Sequence, residues 1–105
     1  MPYIKNEDKP ELDHSIDLLV QTIISIHKKY GYDGAFAGIL NYTVTTLTNK
    51  VRTQLFGKLR YWQLAIISGV FHNIADEFYR RKAIPYEDLQ IKNNGDVTGY
   101  RSIDE

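Results

Sequence analysis

Apolar side chains recur every three or four positions through most of this chain. Leu12, Ile16, Leu19, Val20, Ile23, Ile26 and Tyr30 share that spacing, which puts them on one face of a helix from Lys9 to about Tyr30. Asp8 and Glu11 read as a capping box at its start, and Pro10 falls in the first turn, where a missing N–H costs nothing. Lys28 and Lys29 close the helix on the side its dipole prefers, and Gly31 is the expected stop.

A second helix is predicted after Asp33 to about Phe56, on the spacing of Phe36, Leu40, Val44, Leu47, Val51 and Leu55. Its weak stretch holds Thr43, Thr45, Thr46 and Thr48, β-branched residues that favour strand. A short strand over residues 42–48 is the competing assignment, and the helical period on either side decides against it. A third helix is predicted over about residues 58–83. Pro85 should end it, since the residue before proline avoids the α region. This helix carries two apolar stripes: Leu59, Trp62, Ile66, Val70 and Ile74, then Leu64, Ile67, Phe71, Ala75 and Phe78. One stripe suffices for a surface helix, so two imply cover on two sides. From Tyr86 onward neither period holds, and Asn94-Gly95 marks a turn. The pattern predicts a single all-α domain over residues 1–105: a three-helix antiparallel bundle with an irregular acidic tail over 86–105.

Composition narrows the chemistry. The 105 residues hold thirteen basic and thirteen acidic side chains, so no overall charge draws the chain to nucleic acid. No cysteine is present, which excludes disulfides, thiolate metal sites and cysteine nucleophiles. The N-terminus lacks the apolar core of a secretory signal, and the most apolar run, residues 64–71, is far below the roughly 20 residues of a membrane span. A cytoplasmic protein without a membrane partner is the expectation.

Charge is unevenly placed. Residues 1–35 carry a net −2, residues 36–85 a net +5 and residues 86–105 a net −3. The acidic tail is therefore expected to fold over the basic pole of Lys28, Lys29, Arg80, Arg81 and Lys82, or over that of a second subunit. Glu77 is spaced to pair with Arg80 and Arg81 at i+3 and i+4. Tyr79, Arg80, Arg81, Tyr86, Glu87 and Asp88 form the candidate clamp, with an arginine pairing to Glu87 or Asp88; gripping a ligand carboxylate or phosphate is the competing use. Ala65 and Gly69, with Ile66, Val70 and Phe71, offer a close-approach surface on which the third helix would meet its counterpart in a homodimer or higher oligomer. The alternative is a nucleic-acid-associated protein using Lys50, Arg52, Lys58, Arg60, Tyr61 and Trp62 as a basic and aromatic cluster. His72 and Asp76 resemble half of a metal-binding face, but no His-x-x-x-His or Glu-x-x-His partner completes it. No nucleophile elbow, phosphate-cradling glycine loop or cofactor motif occurs, so no catalytic residue and no cofactor is assigned.

Asn41-Tyr42, Glu77-Phe78-Tyr79-Arg80-Arg81, Pro85-Tyr86-Glu87-Asp88 and Asn94-Gly95-Asp96-Val97 together resemble a family of short uncharacterised bacterial and bacteriophage proteins. Met1-Pro2-Tyr3-Ile4 and Glu11-Leu12-Asp13 extend the likeness to the other end. The resemblance implies a small helical fold and transfers no catalytic residue. The chain departs from the family in a longer threonine-rich second helix and a longer lead into the third. The reading is a non-enzymatic structural or interaction protein that self-associates through its third helix.

Overall fold

Helix is the only regular structure among the described residues, and the class is all-α. The structure is a computed structural model and describes residues 4–100. Met1 to Tyr3, and the last five residues of the expected tail, lie outside the described residues. The sequence predicts one domain; by its internal contacts the chain groups into two units, Met1–Gly57 and Lys58–Glu105.

The first unit is a helical hairpin. A 3-10 turn, Asn6–Asp8, leads into α1, Lys9–Tyr30. This turn overturns the capping box. Asp8 has helical backbone angles and makes no side-chain capping bond, because the chain already curls one turn earlier, after the extended Lys5. The Asp8 N–H instead donates to the Lys5 carbonyl at 3.1 Å. Gly31 ends α1 at φ 77°, a left-handed conformation that side chains with a Cβ resist. His27 Nε2 donates to the Asp33 carbonyl at 3.4 Å and braces the turn.

Helix α2 is Ala35–Phe56, so the threonine stretch is helical. Its hydroxyls find local partners. Thr43 and Thr53 donate to the carbonyls of Ile39 and Asn49 one turn back, at 2.7 and 2.8 Å, and Thr45 donates to Asn41 Oδ1 at 3.3 Å. The face α2 turns to α1 is not the expected stripe. Ala35 is buried and Ile39, Thr43 and Thr46 are half-buried, while Phe36 and Leu55 stay 54% and 67% exposed. The hairpin turn fixes the rotation of α2, and small residues at the seam let the helices meet near that turn. The more apolar stripe is left outside.

The second unit is one long helical run. Residues 58–60 do not join it: Arg60 is extended, and α3 is Tyr61–Phe78, three residues later than expected. Pro85 does not end it either. A π-helical turn, Tyr79–Ala83, follows α3, and α4, Ile84–Asn94, continues with Pro85 in its first turn. The Ile84 N–H reaches back five residues to the Tyr79 carbonyl. In a regular α-helix the Pro85 ring would collide with the Arg81 carbonyl. The widened turn removes the collision, so the chain stays helical where a break was expected. The tail is accordingly helical as far as Asn94. Gly95 stops α4 at φ 83°, and a 3-10 turn, Thr98–Tyr100, follows.

Candidate functional site

The elements above carry much apolar surface and little interior. Ala35 and Gln63 are the buried residues among those described. Gln63 was not singled out by its sequence. It is 2% exposed, and its Nε2 donates to the Lys58 carbonyl at 3.2 Å, tying the start of α3 to the segment before it.

In the first unit, α1 and α2 diverge from their turn around an open-sided groove of about 680 Å³. Leu19, Ile23, Ile26 and Tyr30 line it from α1; Ala35, Ile39, Tyr42, Thr43 and Leu47 line it from α2. Lys50 carries the one ionisable charge at neutral pH in that lining. The α1 wall was legible as a stripe. The α2 wall was not, because its alternation of Gly, Ile, Tyr and Thr is only weakly amphipathic.

In the second unit, α3 has its main contacts with the π turn that continues it, among the described residues. Ile66 and Val70 are exposed, Phe71 is 41% exposed, and Ala65 and Gly69 stand one turn apart on another part of the helix surface. A Cβ built on Gly69 would meet no atom within 4 Å. The glycine therefore fills no steric need inside the chain.

The Glu77 ion pairs form as their spacing predicts, while the contact to Glu87 comes from Tyr79 and not from an arginine. Arg80 and Arg81 reach Glu77 Oε1 at 3.8 and 3.9 Å, one turn back along the same helix. Tyr79 supplies the link across the π turn, its hydroxyl donating to Glu87 Oε2 at 3.3 Å. The nearby carboxylate, and the hydrogen bond to it, hold the Tyr79 hydroxyl above its ordinary titration range. Tyr86 lies on the first turn of α4 and Asp88 on the next.

The basic and aromatic residues are divided between the units. Lys50 and Arg52 lie on α2, where the Arg52 guanidinium donates to the Gly57 carbonyl at 3.2 Å and to Thr53 Oγ1 at 3.1 Å, closing the helix end. Lys58 and Arg60 precede α3, and Tyr61 and Trp62 open it, Tyr61 being 82% exposed. His72 and Asp76 stand one turn apart on α3; among the described residues no three His, Asp or Glu side chains gather where an ion could sit. No helix of the described residues is long and apolar enough to cross a membrane.

A family model described as a domain of unknown function, DUF6899, matches residues 1–97 and so spans both units. No curated protein and no solved structure matches the chain.

Proposed function

The chain belongs to the DUF6899 family of unknown function, and we propose from its own side chains that it is a non-enzymatic interaction protein that self-associates through α3. The observation that supports this is the apolar load of α3. Trp62, Leu64, Ile66, Val70, Phe71, Ile74 and Phe78 all remain roughly half exposed or more. Fully burying such a side chain contributes about 1.5–3 kcal/mol, so covering the remaining half of seven would contribute roughly 5–10 kcal/mol. That is comparable to the whole stability of a small domain. A monomer would forgo it; an assembly gains it.

Phe71→Asp tests the reading. Phe71 keeps 41% of its surface open, so helix content is measured beside mass to separate lost association from lost fold. Light scattering should show an oligomer for the unaltered chain and a smaller species for the variant, with helical circular dichroism retained. A monomeric unaltered chain would refute self-association. A shift of labelled DNA or RNA that weakens steeply with salt would instead favour the basic cluster of Lys50, Arg52, Lys58 and Arg60.

A further inference from the structure

We infer that Pro85 is a register device: the π turn it imposes counts as one inserted residue, rotates α4 by about 100° about the helix axis, and puts Leu89 where Asp88 would otherwise stand. The device lies within the second unit and holds whether or not the chain self-associates.

The Ile84 N–H bonds the Tyr79 carbonyl five residues back, where an α-helix would use the fourth. Ile84 thus takes the place of residue 83 in an unbroken helix, and every later residue of α4 stands one place behind its number. An α-helix turns by about 100° per residue, so a lag of one residue is a rotation of that size. Proline is the cause. Its ring excludes the Arg81 carbonyl and it brings no N–H to bond it, so the turn before Pro85 gains nothing by closing in the α pattern.

The hydrogen bond from Tyr79 to Glu87 reports the phase independently. Eight residues of unbroken α-helix turn by about 800°, which leaves the two positions about 80° apart around the axis. With one residue absorbed they stand as if seven apart, about 20° from a common line and roughly 10 Å along it. A contact of 3.3 Å belongs to the second arrangement.

The shift changes what α4 presents. Around the axis from Val70, Ile66 and Ile74 lie about 40° to either side. In the shifted register Leu89 falls on the Val70 line, Tyr86 lies about 60° from it, and Asp88 is turned about 100° away. Without the shift Asp88 would take the line, with Leu89 about 100° and Tyr86 about 160° off it. Leu89 and Tyr86 are exposed, as Ile66 and Ile74 are. The apolar line of α3 is therefore carried across the π turn onto α4, interrupted by Glu77 with its two arginines.

Pro85→Ala tests the cause, and deletion of Lys82 tests the count. Alanine restores the N–H and removes the ring, so the turn should close to regular α-helix. The nuclear Overhauser contact between the Tyr79 ring and the Glu87 side chain, expected in the unaltered chain, should vanish while circular dichroism shows helix kept or gained. Deleting Lys82 from the Pro85→Ala chain leaves Tyr79 and Glu87 seven positions apart in an unbroken helix, and the contact should return. A contact that persists in Pro85→Ala, or a loss of helix there, overturns the role of the proline. A contact that fails to return in the shortened chain overturns the one-residue count, and its absence from the unaltered chain overturns the register itself.

Discussion

Gly69 sits in the interior of α3, where glycine costs roughly 0.8–1 kcal/mol relative to alanine. Nothing inside the chain requires it, since an added Cβ meets open space. If the chain acts alone, Gly69→Ala and Gly69→Leu should each raise stability by nearly that amount, because both residues are strong helix formers. If another helix closes on this face, Leu must fit into a gap made for a hydrogen atom. Overfilling a packed contact costs about 1–3 kcal/mol, and the position occurs twice in a symmetric pair. The association constant should then fall by a factor of about 30 to 10⁴, corresponding to roughly 2–6 kcal/mol. Sedimentation equilibrium on the unaltered chain and both variants measures this, with circular dichroism confirming that helix content is kept. Gly69→Leu chains that associate as tightly as the unaltered chain, or more tightly, would refute the reasoning.

A further prediction concerns charge. Tyr79 holds its proton above the usual value of 10.0 because Glu87 lies beside it. Its contribution to stability is therefore present below about pH 10 and lost as pH rises through the raised value. The ultraviolet tyrosinate titration, taken as the difference between the unaltered chain and Tyr79→Phe, should show a late component. Glu87→Gln should return that component toward pH 10, and an unchanged midpoint would dismiss the contact.

The sequence disclosed the helices more fully than their relations. The bounds of α1 and the end of α2 follow from apolar period and glycine, both local signals. Pro85 misleads because its local rule, helix termination, gives way when the preceding turn widens to a π turn, which no residue pattern announces. The Asp8 box fails for a similar reason: its spacing fits, but the 3-10 turn ahead of it denies Asp8 the extended backbone that capping uses. The stripe of α2 shows a different gap. Periodicity identifies an apolar face and says nothing of what it meets; here Ala35, Ile39 and Thr43 face α1 while Phe36, Leu40 and Val44 do not. At the clamp, the expected arginines pair with Glu77 within their own helix, and Tyr79 links to Glu87, a contact that depends on the phase of the π turn.

The most direct test of the central claim is the mass of the chain in solution, followed by sedimentation as it is diluted while its helical signal is recorded. The account predicts at least twice 12.2 kDa at high concentration, with the mass falling toward that of the single chain on dilution. A particle of 12.2 kDa at every concentration, with its helical signal intact, would contradict it.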